Sequence, residues 1–218
     1  MTLPRTKARL TLALLSALAI ATFVEATAPA AAAGNAADSA ARPGCLPAGN
    51  GFLRARIRGA MNLDVDWRDA ELECDGGARP DGKGIRLSFA GPLQSDGRRL
   101  RMVFGVTNAG EGDAGTALPT NLTVIFEGEK RLFSTRGDDK CTVDKLQQER
   151  VGALGGGVRS YRVVASGFCT EPANDLNATA RIVVSSFDFA GRVTFEPPAR
   201  DDAASSAGSP ATAAQISR

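Results

Sequence analysis

The sequence contains no histidine, a single tryptophan and a single tyrosine among its 218 residues. The absence of histidine excludes His-dependent catalytic triads, histidine metal ligands and imidazole acid–base chemistry. The scarcity of tryptophan and tyrosine leaves few aromatic side chains on which a sugar ring could stack. No two cysteines are spaced as Cys-x-x-Cys, which argues against a zinc site. The usual residues of hydrolytic and metal chemistry are therefore few.

The sequence also lacks an excess of either charge, with 26 Lys and Arg against 24 Asp and Glu. Residues 1–33 hold three of the basic residues and one of the acids, so residues 34–218 have 23 of each. Nucleic-acid binding depends on a strong positive field at the protein surface. We therefore expect no nucleic-acid partner.

The N-terminus has the segment order of a secretory signal peptide. Cations in the first ten residues precede an apolar run at 10–24, and small residues continue to Ala33. The apolar run is about 15 residues, shorter than the roughly 20 that span a bilayer. We expect 1–33 to be a cleavable signal peptide that sends the chain to the periplasm or the medium, with no transmembrane segment in the mature chain. An uncleaved anchor is the alternative.

Composition divides the rest of the chain into three parts. Residues 34–43 are rich in alanine and are expected to form a flexible leader. Residues 197–218 have almost no large apolar side chains, so burial cannot offset the entropy of ordering them and a disordered tail is expected. Residues 44–196 are then expected to form one domain.

Within residues 52–67, apolar residues alternate with charged ones, as in strands that have one buried face. A hairpin folded about Ala60 matches apolar with apolar and positive with negative residues, which supports its register. It places Leu53, Ala55 and Ile57 opposite Trp67, Val65 and Leu63, and Arg54 and Arg56 opposite Asp66 and Asp64. A bulge or tight turn is expected at Arg68 and Asp69, because the apolar residues change there from odd-numbered to even-numbered positions.

Turn residues predict further hairpins. A two-residue turn at Asp96-Gly97 would set Leu87 opposite Val106. A similar turn at Gly128-Glu129 would set Ile125 opposite Leu132. Two valine-rich runs and a last strand over 192–196 follow. The predicted fold is an all-β antiparallel β-sandwich, or partly open barrel, of about 8–10 short strands.

Residues 142–151 are the exception, because they are rich in helix formers. A short helix is possible there, and a strand is the alternative. The strand is supported by Cys141 and Cys169, which lie equidistant from Gly155, as the two arms of a hairpin would.

The four cysteines of an exported chain predict two disulfides, for which three connectivities exist. Each sequential pair brackets a proposed hairpin region. We therefore predict that Cys45 pairs with Cys74 and that Cys141 pairs with Cys169.

Three short motifs in the loops resemble parts of known ligand sites, but each also has a simpler explanation. Integrin ligands present Arg-Gly-Asp on an exposed loop, but the tripeptide at 136–138 also consists of ordinary turn residues, so a turn is favoured. The loop carboxylates Asp138, Asp139, Asp144, Glu111 and Asp113 do not match a patterned calcium loop. The glycine triplet 155–157 lacks the following Lys-Ser or Lys-Thr of a phosphate-binding loop and is expected to be a hairpin tip.

An acidic cluster beside Arg54, Arg56 and Arg58 is the last candidate. Its members are Asp64, Asp66, Asp69, Glu71, Glu73 and Asp75. A glycosidase would need two facing carboxylates in an aromatic cleft. Cross-strand ion pairs on a solvated face are the favoured interpretation.

These observations predict no catalytic, cofactor-binding or metal-binding residue. We expect an exported, non-catalytic binding or interaction module of the cell envelope, with a protein or a small molecule as its ligand. The first alternative is a periplasmic carrier of a small apolar ligand, which would need an internal cavity. The second is a hydrolase that works through carboxylates or serine, although no Ser-x-x-Lys motif is present.

Overall fold

The computed structural model describes residues 44–153 and 157–197. The expected signal peptide, the leader, the first two glycines of the triplet and all but the first residue of the tail lie outside the described residues. Within the described part of the chain, no helix is long and apolar enough to cross a membrane.

The described chain consists of eleven strands and one 3-10 turn, Asp69–Glu71. The strands are β1 (Phe52–Gly59), β2 (Leu63–Arg68), β3 (Glu73–Ala78), β4 (Gly84–Ala90), β5 (Arg99–Thr107), β6 (Gly115–Glu127), β7 (Arg131–Ser134), β8 (Cys141–Ala153), β9 (Arg159–Cys169), β10 (Ala173–Asp175) and β11 (Arg181–Phe195). The predicted all-β antiparallel fold is confirmed. The strand count exceeds the expected 8–10 partly because β10 has only three residues, too few to show a periodic pattern. Conversely, the last two predicted strands are one continuous strand, β11.

The strands form one sheet that curls back on itself. The long strands β6 and β11 each pair with different neighbours along their lengths, so β6, β8, β9, β11, β10 and β7 form a closed ring. From this ring β1 and β2 extend beyond β11, while β5, β4 and β3 extend beyond β6.

Strand β3 folds back against the end of β11 and nearly closes a second ring. Seven strands (β3, β4, β5, β6, β8, β9 and β11) lie in sequence, each antiparallel to the next. Because seven is odd, the closing neighbours β3 and β11 run parallel. Gly76 permits their close approach, since a Cβ there would lie 2.7 Å from the carbonyl oxygen of Arg192.

Phenylalanine rings fill the interior between these strands. Phe89, Phe104, Phe187 and Phe189 are buried, and the centroids of their contacting rings lie 4.9–6.1 Å apart. Burying a phenylalanine side chain stabilises a fold by about 1.5–3 kcal/mol. This cluster is therefore a principal source of stability.

The first predicted hairpin is confirmed in every pair, including Leu53 opposite Trp67 and Arg54 opposite Asp66. The 3-10 turn Asp69–Glu71 is the tight turn expected where the apolar phase slips. The pairing of Ile125 with Leu132 is also confirmed.

The predicted register of β4 and β5 is wrong by two residues. Leu87 lies opposite Phe104 rather than Val106. The connecting turn is longer than expected, since the Gly97 amide donates to the Gln94 carbonyl oxygen at 3.0 Å and Gly97 has a φ of 78°. A shift of two residues leaves each side chain on its original face of the sheet.

The helical alternative for residues 142–151 is wrong, because these residues belong to β8. The strand pairs with β9 along its length and with β6 near its start. A register shift between Val143 and Lys145 lets Val143 and Leu146 both face the interior. That spacing of three residues resembles a helical pattern, and strand pairing overrides the weak helix propensity.

Both predicted disulfides are present. Cys45 is bonded to Cys74, and Cys141 to Cys169. Cys141 and Cys169 are also direct partners in the ladder of β8 and β9. The other disulfide ties the segment before β1 to β3.

Candidate functional site

The outer face of β3 to β6 carries four arginines, and three of them are bound to carboxylates. Arg99 and Arg101 both donate to Glu127. Arg79, directly after β3, is also bound to carboxylates. Arg86, on β4, has no ion-pair partner within the described residues. It is exposed, so its guanidinium is open to a ligand.

Strand pairing places Arg86 between two glycines. On one side, Gly77 of β3 lies opposite Arg86. On the other side, Gly105 of β5 lies opposite Arg86, and Asn121 of β6 lies opposite Gly105. Because glycine has no side chain, the surface is recessed on both sides of the arginine. Each recess forms a surface cavity, and we call the two cavities, together with Arg86 between them, the Arg86 depression.

The larger cavity lies between Arg86 and the end of β11. It has a volume of about 640 Å³, and Gly77, Thr194, Asp75 and Glu196 are among its lining residues. Neither carboxylate has an ion-pair partner among the described residues. This cavity follows the line along which β3 meets β11 without a hydrogen-bonded ladder.

The smaller cavity lies on the other side of Arg86 and has a volume of about 330 Å³. Val103 and Thr123 line it together with Gly105 and Asn121. A Cβ at Gly105 would lie 2.6 Å from the Asn121 Oδ1. The glycine therefore leaves room for the amide as well as for the cavity.

Arg79 forms the end wall of the smaller cavity and is held rigidly. It donates to Asp81 at 2.9 Å and to Asp138 at 3.0 Å. Asn121 also donates to Asp138, at 2.5 Å. The hydrogen bonds from Arg79 lower the pKa of Asp138 and bring the pKa of Asp81 to about 2. Both carboxylates are therefore ionised at neutral pH and occupy the Arg79 guanidinium.

The Arg-Gly-Asp tripeptide forms the predicted turn. Gly137 has a φ of 102°, a conformation that favours glycine. The Asp138 carboxylate is bound to Arg79, whereas Arg136 is exposed. The aspartate of the tripeptide thus serves to join two turns of the fold.

The candidate calcium ligands are dispersed rather than gathered. Among the described residues, no group of three or more acidic or cysteine side chains is placed to hold a metal ion. Their surroundings differ: Asp138 accepts from Arg79, Asp139 pairs with Lys140, Glu111 accepts from Arg159 and Tyr161, Asp113 accepts from the Gly110 amide, and Asp144 is exposed on β8.

The acidic cluster is divided among several roles. Cross-strand ion pairs join Arg58 to Asp64 at 2.7 Å and Arg54 to Asp66 at 3.3 Å, and the hydrogen bond from Arg58 lowers the pKa of Asp64. The predicted ion pairs are therefore confirmed, although Asp64 takes Arg58 instead of the facing Arg56. The other members are separate: Glu71 accepts from the Arg68 amide, Glu73 accepts from Arg99, and Asp75 lines the larger cavity.

Asp69 has a structural role that sequence patterns did not indicate. It is buried, and its Oδ1 accepts hydrogen bonds from the amides of Leu46 and Gly51, both at 2.8 Å. A Cβ at Gly51 would lie 2.5 Å from that oxygen. The carboxylate thus fixes the segment before β1.

Comparison with family models, with curated proteins and with solved structures found no match to the chain. Function is therefore inferred from geometry. In the described part of the chain, the Arg86 depression combines a cation and two carboxylates that have no ion-pair partner with two adjoining cavities at the surface of the sheet. Sequence patterns did not indicate Arg86, because its importance depends on the glycines that strand pairing places beside it.

Proposed function

We propose that the chain is an exported, non-catalytic binding module of the cell envelope whose ligand occupies the Arg86 depression. The observation that carries this proposal is the contrast among the arginines of one face. Three of them are neutralised by carboxylates, and Arg86, the one beside both cavities, has no ion-pair partner among the residues that the structure describes.

The chemistry of the depression suits binding. A guanidinium offers planar pairs of N–H donors that match a carboxylate or phosphate group. The cavity volumes, about 330 and 640 Å³, lie in the range of about 300–1,000 Å³ that is usual for small-molecule sites. Strands that are held in a continuous sheet provide a preorganised base for such contacts.

The outer surface is favoured over the interior as the ligand site. An apolar carrier needs space inside the barrel, where the buried phenylalanine cluster already lies. Export is supported by the signal-like N-terminal segment and by the two disulfides, since disulfides persist in oxidising compartments.

Native mass spectrometry of protein isolated from the envelope of its own host tests this proposal. The samples are the wild type, Arg86→Gln, and a control, Arg181→Gln. Arg181 is an exposed arginine without an ion pair in the described chain, at the opposite end of β11 from Thr194. We expect a bound mass on the wild type and on the control that is absent from Arg86→Gln. No bound mass on any sample, or the same mass on all three, would contradict the proposed site.

A further inference from the structure

We infer that the ligand of the Arg86 depression is a small zwitterion, an amino acid or short peptide, with its carboxylate on Arg86 and its ammonium group facing Asp75 and Glu196. This inference rests on the proposed function and specifies the chemical class of the ligand.

The charges around the larger cavity favour a ligand of both signs. Among the described residues that line it, Arg86 is the one cation, and Asp75 and Glu196 are the two carboxylates. A ligand with only negative groups would gain from Arg86 but be repelled by the two carboxylates. A purely cationic ligand would be attracted by the two carboxylates but would leave Arg86 without an anionic partner. A zwitterion can satisfy all three side chains.

The Arg79 network adds to the selection against strongly anionic ligands. The Arg79 side chain is only 12% exposed, and its guanidinium already donates to Asp81 and Asp138. These two carboxylates occupy the Arg79 guanidinium, so this wall offers no free guanidinium to a second anionic group of a ligand. A single carboxylate on Arg86 is therefore favoured over a phosphate dianion.

The two cavities also fit the shape of a peptide-like ligand. Because Arg86 lies between them, a carboxylate bound there can extend its ammonium end into the larger cavity. The remaining part of the ligand can enter the smaller cavity, where Val103 and Thr123 offer apolar and hydroxyl surface. A ligand that consists of an ammonium group and a carboxylate, with no side chain or further residue, would leave the surface of the smaller cavity uncovered.

The experiment is an amide NMR titration of the oxidised, folded protein with three probes. Dialanine carries both charged groups, N-acetyl-dialanine lacks the ammonium group, and dialanine amide lacks the carboxylate. We expect dialanine to shift the amide signals of β3 and β4. Each blocked probe should bind about tenfold more weakly or worse, since each has lost a charge-assisted contact.

Variants assign each contact, and the same spectra report whether each variant is folded. Arg86→Gln should abolish the response to dialanine, whereas Arg181→Gln should respond as the wild type does. Glu196→Gln should reduce the preference for dialanine over N-acetyl-dialanine. The inference is overturned if dialanine gives no response, if N-acetyl-dialanine binds equally well, or if Arg86→Gln binds unchanged.

The ligand class and the proposed function can fail separately. If the native complex loses its bound mass on Arg86→Gln while dialanine does not bind, the binding module stands and the ligand class is wrong. Binding to vesicles of phosphatidylethanolamine in place of dialanine would assign the site to a zwitterionic lipid headgroup, which also contradicts a peptide ligand.

Discussion

At the scale of single residues, the function of a charged side chain in this protein depends on its partners. Arg79 and Arg86 lie on the same outer face, yet Arg79 joins two turns through carboxylates, whereas Arg86 has no ion-pair partner in the described chain. Asp69 and Asp66 lie three positions apart, yet Asp69 is buried and accepts hydrogen bonds from two backbone amides, whereas Asp66 forms an exposed ion pair. Residue type and sequence spacing alone do not separate these cases.

Replacing Asp69 tests its structural role. Asp69→Ala leaves the amides of Leu46 and Gly51 buried without an acceptor. We expect the free energy of unfolding to fall by about 3 kcal/mol or more, because two bonds to a charged group are lost and each contributes roughly 1.5–3 kcal/mol. Urea unfolding measures this loss. Asp69→Asn keeps one acceptor oxygen and should lose less; equal stability of Asp69→Ala and the wild type would contradict the assignment.

At the scale of elements, pairs of strands differ in how well their sequences determine their register. The hairpin of β1 and β2 was predicted correctly because both of its faces carry complementary side chains. The register of β4 and β5 was predicted wrongly, because Asp96-Gly97 is compatible with loops of different length. A slip of two residues also leaves each side chain on its original face of the sheet, so the burial pattern does not exclude it. Strand β8 was ambiguous because its residues are helix formers, and its bulge also gives buried residues a helical spacing.

The ion pair of Arg79 with Asp138 joins the turn after β3 to the turn before β8, and it predicts a pH dependence. The folded-state pKa of Asp138 is below its usual value, so its contribution is present above the unfolded pKa of about 3.9. The contribution is lost as the pH falls through the lower, folded-state pKa. The aspartate is partly exposed, so the stabilisation is about 1 kcal/mol or less.

Urea unfolding of Asp138→Asn at several pH values measures this contribution. The variant should be less stable than the wild type at neutral pH, and the difference should shrink from about pH 4 towards pH 2. Asp144→Asn, which removes an exposed carboxylate of β8, is the control and should stay within about 0.5 kcal/mol of the wild type. A difference for Asp138→Asn that is constant with pH would contradict the role of the ion pair.

At the scale of the whole molecule, the second ring depends on the parallel approach of β3 to β11. A Cβ at Gly76 would lie 2.7 Å from the Arg192 carbonyl oxygen and 2.9 Å from that of Arg86. Gly76→Ala should therefore destabilise the fold by about 1–3 kcal/mol, as overpacking does.

The neighbouring glycine provides a matched control, because the described atom nearest to a Cβ at Gly77 would be the Thr194 carbonyl oxygen, at 3.3 Å. Gly77→Ala should cost less than Gly76→Ala in the same thermal or urea unfolding measurement. Equal effects of the two substitutions would contradict the close backbone contact between β3 and β11.

The fold and the candidate site differ in how far the sequence predicts them. Alternating residues and turn glycines predict strands because these depend on neighbours in sequence, and the cysteine positions predict both disulfides because each pair brackets a hairpin region. The Arg86 depression depends on Gly77 and Gly105, which lie beside Arg86 only when β3, β4 and β5 pair in the correct register. A register in error by two residues would have placed Arg86 opposite Thr107 instead of Gly105.

Hydrogen exchange with and without the small-molecule fraction of the host envelope tests the central claim most directly. If the Arg86 depression holds the ligand, exchange should slow in residues 73–90, which form β3, β4 and the turn between them. The slowing should be absent from Arg86→Gln. Slower exchange confined to the face of β1 and β2, or the same slowing in Arg86→Gln, would contradict the claim.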